Sequence, residues 1–171
     1  CNDLHINTMD FRIGHGYDAH QLVKSTPLII HGVKIESSVG SLGYSDGDVG
    51  YHSICDAILG ALSLGDLGTH FPSSDIQWKD ADSIIFLDKV IKLMHNKGYQ
   101  INNIDSTIVL QSPHINKYIV QMKSNIASAC NIDINTVSIK ATTTDKLGAI
   151  GRGEGIASST IILLKHDSNA G

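Results

Sequence analysis

Asp18 and His20 stand two residues apart in the run Phe11-Arg12-Ile13-Gly14-His15-Gly16-Tyr17-Asp18-Ala19-His20. The run reads as a strand, and side chains at i and i+2 of a strand point the same way. A carboxylate and an imidazole therefore project side by side from a fixed backbone. Downstream, Ser45-Asp46-Gly47-Asp48-Val49-Gly50-Tyr51-His52 opens a helix and supplies a second imidazole. One oxygen and two nitrogens on regular elements suit a divalent metal with one coordination position left open. An isolated Asp-x-His pair is common by chance, and a lone His52 reads equally as a partly buried, hydrogen-bonded histidine. Asp56 adds weight, because it lies one turn beyond His52 on the same helix face. Its carboxylate suits the other imidazole nitrogen and would fix the tautomer. The alternative for that pair is a plain solvent-exposed i,i+4 contact.

A second constellation is Lys140-Ala141-Thr142-Thr143-Thr144-Asp145-Lys146-Leu147-Gly148, followed by Gly151-Arg152-Gly153-Glu154-Gly155. The threonines offer hydroxyl and backbone donors at a strand end. Asp145 suits a hard cation such as Mg2+ shared with phosphates, and the glycines permit close backbone approach. Walker A spacing is missing. The other reading is a polar strand end and a flexible hairpin. The third constellation, Leu110-Gln111-Ser112-Pro113-His114-Ile115-Asn116, reads as a strand-to-helix turn. Its amides lie near a helix N-terminus and suit a diphosphate, or they form an ordinary helix entry. His5, His31, His70, His95 and His166 have no convincing partners and read as surface or loop residues. Trp78 and the charges around it read as a solvated segment.

The elements that must position these groups follow from pattern. Residues 11–20 form a first strand, and 28–35 a short hairpin or strand pair. Residues 36–45 form a Gly/Ser-rich loop. Ser45 or Asp46 caps the next helix, with Asp48 in its first turn favouring the dipole. Val49, Ile54, Ile58, Leu59 and Leu62 give that helix an apolar stripe to about Leu64. Residues 65–82 are a loop long enough to be functional. A helix over 82–97 stops at Gly98 as a C′ residue. Ile104 to Gln111 is a β-branched strand, His114 to Cys130 a helix, and Thr136 to Thr143 a strand. Residues 144–155 are a Gly-rich loop, and Ile156 to Lys165 is the last strand. Strands alternating with helices predict an α+β fold, an α/β sandwich whose helices cover one face of a sheet. Residues 1–10 read as an N-terminal tail, 11–165 as a single domain and 166–171 as a C-terminal tail.

The 171 residues, 42% hydrophobic, support one domain with a real core. A formal net charge of −4 with scattered Lys and Arg argues against a nucleic-acid binder. An anionic ligand therefore needs local cations or helix N-termini. Three widely separated cysteines, Cys1, Cys55 and Cys130, give no disulfide framework and fit a reducing compartment. No apolar run reaches the ~18 residues of a membrane span. The first ten residues lack the regions of a secretory signal.

Taken in order, RIGHGYDAH at 12–20, SDGDVGYH at 45–52, GDLGTHFPSSD at 65–75 and KATTTDKLGAIGRGEG at 140–155 make the chain similar to the 2-C-methyl-D-erythritol 2,4-cyclodiphosphate synthases. The resemblance runs from residue 11 to residue 165. It implies a mixed β-sheet with helices packed on one face, assembled as a homotrimer with active sites between subunits. It implies that Asp18, His20 and His52 hold Zn2+ (or Mn2+ or Co2+). It places the methylerythritol phosphate near Asp18, Ala19, His20, Tyr44 and Ser45, the Asp66-Leu67-Gly68 turn, and the loop of Phe71, Pro72, Ser73, Ser74 and Asp75. It places the cytidine diphosphate against Leu110, Gln111, Ser112, Pro113, His114, Ile115 and Asn116, and against Thr142, Thr143, Thr144 and Asp145. Asp145 would hold Mg2+ or Mn2+ on the diphosphate, and Thr143 would steady the transition state. Ala149 and Arg152 fall where the family lines a central trimer channel.

The implied reaction is metal-dependent cyclisation of 4-diphosphocytidyl-2-C-methyl-D-erythritol 2-phosphate with release of CMP, in non-mevalonate isoprenoid biosynthesis. The implied location is the cytoplasm in a bacterium, or a plastid-type organelle if a transit segment was removed. Tyr44 stands where many members have a histidine, Asp145 where glutamate is usual, and His114 where lysine is common. Two other readings of the same metal site are a metal-dependent phosphohydrolase and a non-catalytic binding module. The module requires a fourth protein ligand, for which Cys55 is the nearest candidate.

Overall fold

The structure, a computed structural model, describes residues 10–167. Residues 1–9 and 168–171 of the two expected tails lie outside the described residues. The chain runs β1 (Phe11–Lys24), β2 (Leu28–Ile30), β3 (Val33–Ile35), β4 (Val39–Leu42), α1 (Val49–Ala61), α2 (Leu67–His70), α3 (Ser83–Asn96), β5 (Tyr99–Val109), α4 (Ile119–Cys130), β6 (Val137–Thr142), α5 (Gly148–Gly151) and β7 (Gly155–His166). Five strands form one sheet in the order β4-β1-β7-β5-β6, and β2 and β3 form a separate hairpin. Only β5 and β6 pair in parallel; the other pairings in the large sheet are antiparallel. This is an α+β fold with a mixed five-stranded sheet.

Alternation along β1 explains how the sheet carries both packing and chemistry. Gly14 and Gly16 are buried on the same face that presents Asp18 and His20, whereas Phe11, Ile13 and Tyr17 are exposed on the other. The two glycines exist for α1. A Cβ on Gly14 would lie 1.8 Å from the Ala57 carbonyl oxygen, and one on Gly16 would lie 1.9 Å from that of Ser53. The helix backbone rests directly on the strand there, running antiparallel to it, so its N-terminal turn meets the Asp18/His20 end. Inward-facing Ile104 and Ile108 of β5, Ile156, Ile162 and Leu164 of β7, Ile54, Ile58 and Leu59 of α1, Leu87 and Met94 of α3, and Met122 and Ile126 of α4 complete the core.

Several local expectations change. The segment expected as a Gly/Ser-rich loop at 36–45 contains β4, which pairs with β1 from Gln21↔Leu42 to Lys24↔Val39. Edge pairing, not propensity, makes it a strand. The N-cap of α1 is Asp48, not Ser45 or Asp46; its carboxylate accepts from the N–H groups of Gly50 and Tyr51 at 3.0 and 3.1 Å. The helix expected from His114 starts at Ile119 after a 3-10 turn at Asn116–Tyr118, because Ile115 is pulled into the core. The 65–82 stretch holds α2 and a 3-10 turn at Ile76–Trp78. The 144–155 stretch holds α5. Gly98 follows the α3 C-cap at φ +76, as its spacing predicts.

His31 is not a surface residue. It and Gly32 occupy the two-residue turn between β2 and β3 at φ +48 and +71, the signature of a type I′ hairpin turn. The imidazole is fully buried against Gly50, where a Cβ would lie 2.6 Å from the ring. Trp78 is not solvated either: its ring packs edge-on to Phe71 and Phe86.

Candidate metal centre

Asp18 Oδ2 lies 2.9 Å from His20 Nε2 and 2.9 Å from His52 Nδ1. The two ring nitrogens are 3.2 Å apart. Three side chains from β1 and α1 thus aim one donor atom each at a common point. Ligands at about 2.1 Å on a tetrahedral ion are roughly 3.4 Å apart, so the triangle fits a single ion with slight opening. It is the only such group among the described residues. Cys55 points into the core and takes no part, which leaves no fourth protein ligand in the group.

The electrostatics agree with the geometry. Burial works to raise the Asp18 carboxyl, but hydrogen bonds from His20 and His52 outweigh it and hold the group well below the usual carboxylate range. Burial works to lower His20, and its bond to Asp18 overcomes this and raises it. Asp18 is therefore anionic, the state a metal requires.

The expected support from Asp56 is not what the fold provides. Asp56 Oδ1 accepts from the Leu67 N–H at 2.7 Å and pins the start of α2. The Nε2 of His52 instead meets Ser83 Oγ at 2.9 Å and Ser45 Oγ at 3.2 Å. Helical spacing put Asp56 on the right face, but the His52 ring leans toward β1 and α3. Ser83 was not singled out in the sequence, and Asp46 was read only as a helix cap; their contact spans 37 residues and leaves no periodic signal.

A cavity of about 130 Å³ opens beside the cluster, lined by His20, Tyr44, Ser45, His52, Leu67, Phe71, Ser73, Trp78 and Phe86. Phe71 sits 4.9 Å from Phe86 and 5.2 Å from Trp78, ring centre to ring centre. Tyr44 anchors the loop above it: its hydroxyl donates to the Asp75 carbonyl at 3.3 Å, and its own carbonyl accepts from the Asp80 N–H at 2.9 Å. Asp66 caps α2, accepting from the Thr69 N–H and hydroxyl. Pro72, Ser73 and Ser74 are exposed at the rim.

A second cleft of about 280 Å³ is lined by Leu110, Pro113, His114, Ile115, Asn116, Ala141, Thr142 and Thr143. The 110–116 turn and the Thr142–Thr143 strand end, which the family resemblance places around a cytidine diphosphate, therefore meet in space. The Leu110 N–H donates to the Thr142 carbonyl at 3.0 Å, and Gln111 Oε1 accepts from the Lys146 N–H at 3.0 Å. Thr143 Oγ1 accepts from the Asp145 N–H at 3.2 Å, which holds Asp145 exposed at φ +52. Thr144 donates to the Leu147 carbonyl. Arg152 pairs with Glu154, and Ala149 is exposed on α5. The two clefts share no lining residue within one chain.

A mixed sheet backed by helices, with an open Asp/His/His cluster over an aromatic cleft and a separate threonine-lined cleft, defines an α+β protein with a candidate metal centre. The YgbB family profile matches residues 11–165. The 2-C-methyl-D-erythritol 2,4-cyclodiphosphate synthase of Syntrophotalea carbinolica is 52% identical over 159 residues, covering 93% of this chain and 97% of that protein. The synthase of Pseudoalteromonas atlantica is 51% identical, covering 91% and 96%. Among solved structures, the CDP complex of IspF from Plasmodium falciparum superposes with a TM-score of 0.82 at 39% identity, covering 92% and 97%. Bifunctional IspDF from Campylobacter jejuni superposes with a TM-score of 0.90 at 39% identity; this chain spans 43% of that one. The chain belongs to the YgbB family, that of the 2-C-methyl-D-erythritol 2,4-cyclodiphosphate synthases.

Proposed function

We propose that the protein converts 4-diphosphocytidyl-2-C-methyl-D-erythritol 2-phosphate into 2-C-methyl-D-erythritol 2,4-cyclodiphosphate and CMP, acting as a phosphorus–oxygen lyase of non-mevalonate isoprenoid biosynthesis. The observation that carries this reading is the Asp18/His20/His52 cluster opening onto the aromatic cleft, in a chain 52% identical to a named synthase.

The chemistry suits these residues. The 2-phosphate attacks the β-phosphorus of the same molecule; a new P–O bond forms as the bond to the departing CMP oxygen breaks. A phosphate monoester has a second pKa of about 6, so the nucleophile is mostly dianionic at neutral pH and needs no base. Joining two ends of one molecule in the right orientation is worth on the order of 7–11 kcal/mol. The obstacle is repulsion between anions. Neither cleft lining contains Lys or Arg, so charge compensation falls to cations held by carboxylate and imidazole. Asp18, His20 and His52 would hold Zn2+, Mn2+ or Co2+, and Asp145 would hold Mg2+ or Mn2+ on the diphosphate. When bound, such ions supply Lewis acidity and a template.

The chain's own groups do the rest. Leu67, Phe71, Trp78 and Phe86 give the cleft beside the cluster an apolar side. Tyr44 and Ser45 face the reacting phosphate, with the Asp66–Gly68 turn and residues 71–75 around the methylerythritol. The 110–116 turn and Thr142 hold the cytidine diphosphate, and Thr143 steadies the charge that develops at the phosphorus. Assembly as a homotrimer would bring the second cleft of one subunit to the metal cluster of its neighbour. The exposed apolar sheet face supports this, with Ile13 72%, Tyr17 57% and Ile161 48% exposed. Among the described residues no helix is long and apolar enough to cross a membrane.

The test is incubation with the cytidylyl substrate in oxygen-18 water, followed by phosphorus NMR and mass spectrometry. A cyclic diphosphate without solvent label supports the proposal. A labelled linear phosphate would assign a hydrolase, and unchanged substrate would assign a binding module.

A further inference from the structure

Ser83 is fully buried at the first position of α3, and its hydroxyl lies between two groups. It donates to Asp46 Oδ1, and its oxygen is 2.9 Å from His52 Nε2. A hydroxyl has one proton to give. With that proton committed to a carboxylate that can only accept, the oxygen has only lone pairs left to face the imidazole. His52 Nε2 must then carry a hydrogen and donate it, so that when a metal takes the place of the proton between Nδ1 and Asp18, Nδ1 is the nitrogen that offers a lone pair to the point shared with Asp18 and His20.

The carboxylate end is fixed independently. Asp46 Oδ2 accepts from the Ser83 N–H at 3.0 Å, and Asp46 Oδ1 also accepts from the Asp48 N–H at 3.1 Å. Asp82, the N-cap of α3 by position, makes no side-chain cap bond. Asp46 takes over that task from the segment leading into α1. Hydroxyl and carboxylate are therefore locked in place before any ligand arrives.

We propose that Asp46 and Ser83 are positioning residues that hold the His52 ring with Nε2 protonated and Nδ1 aimed at the metal position. The inference rests on the metal reading of Asp18, His20 and His52 above. A purely structural role, capping α3, is separable from it. Ser83→Ala removes the hydroxyl but keeps the backbone N–H that Asp46 caps.

The experiment measures zinc affinity of the purified full chain by competition with a chromophoric chelator, with unfolding temperature recorded alongside. Removing such a supporting bond characteristically weakens metal binding about 10- to 100-fold. Ser83→Ala should lose affinity by that factor while remaining folded, and Ser83→Thr should restore it. Asp46→Asn should weaken binding less, and should add nothing in the Ser83→Ala background. Wild-type affinity in Ser83→Ala overturns the relay, as does a Ser83→Thr variant no better than Ser83→Ala. A lowered unfolding temperature with unchanged zinc affinity also overturns it, leaving only the cap. A wild-type chain that binds no zinc overturns the metal reading itself, and with it the relay.

Discussion

Replacing Gly16 with alanine tests whether the glycine seam builds the metal centre. The added Cβ would lie 1.9 Å from the Ser53 carbonyl oxygen, 2.6 Å from the Ala57 nitrogen and 2.9 Å from the Ser53 carbonyl carbon. All three are helix backbone, so no side chain can turn away. Restoring contact at roughly 3.4 Å requires α1 to lift by about 1.5 Å. His52 immediately precedes Ser53 and moves with it. A donor separation of 2.9 Å then grows toward about 4.4 Å, beyond the ~4.2 Å that two ligands on opposite sides of one ion can span. Overpacking of this kind costs about 1–3 kcal/mol, and rigid backbone on both sides places it at the upper end. At about 2–4 °C per kcal/mol for a chain of this size, the unfolding temperature should fall by roughly 6–12 °C. Zinc stoichiometry at micromolar protein should fall well below that of the wild type. The control is Gly60→Ala in the same helix, where the nearest atom to the new Cβ is 3.8 Å away. It should raise stability by about 0.5–1 kcal/mol through helix propensity. A Gly16→Ala protein with wild-type unfolding temperature and full zinc occupancy would refute the seam as the source of the geometry.

Three further outcomes follow from the same structure. His52→Ala should lose bound metal and cyclisation together while the oligomer in gel filtration is unchanged; full turnover in the metal-free variant would end the metal proposal. Asp145→Asn should bind substrate yet turn over slowly, and a wild-type rate across a magnesium titration would remove Asp145 from cation binding. His31 supplies a pH test, because burial pushes its pKa down to about 3 from 6.5. The folded pKa lies below the unfolded one, so this contribution is whole above pH ~6.5 and is lost as pH falls toward ~3, at about 1.4 kcal/mol per unit. Carboxylates with unfolded pKa near 3.9 act mainly below about pH 5. Chemical denaturation between pH 6.5 and 5 should therefore show a slope that His31→Met flattens; equal slopes would refute a buried neutral His31.

What the sequence revealed, and what it hid, follows from the range of each interaction. Asp18 and His20 were legible because strand period alone puts them on one face. His52 was legible because a capping segment precedes an apolar helical stripe. The cap itself, expected at Ser45 or Asp46, falls at Asp48: Asp48 accepts from four backbone N–H groups, two of them from the distant His31-Gly32 turn, and no local pattern encodes that. The same turn hides His31, whose burial depends on the bare backbone of Gly50 beneath it. β4 escaped notice because a short Val-Gly-Ser-Leu strand exists only through its pairing with β1. Trp78 looked solvated among charges, yet Phe71 and Phe86, 7 and 8 residues away on either side, fold over it.

The diversion of Asp56 has a functional logic of its own. One carboxylate and two neutral imidazoles leave a dipositive ion with one net positive charge. A second carboxylate within reach of His52, or a thiolate from Cys55, would offset that charge where an anionic substrate must bind. The fold keeps both away: Asp56 is spent on the Leu67 N–H, and Cys55 is sealed in the core, where burial pushes its thiol up. The oxygen behind His52 is instead the neutral hydroxyl of Ser83, with the Asp46 charge one bond further off and neutralised in part by backbone N–H groups. His52 is thus oriented through Nε2 without a second anion against the ring beyond Asp18. In a cleft lined by neither Lys nor Arg, a bound dipositive ion would keep that residual positive charge for the two phosphates of the proposed reaction, and the aromatic side of the cleft would favour the tethered phosphate over water.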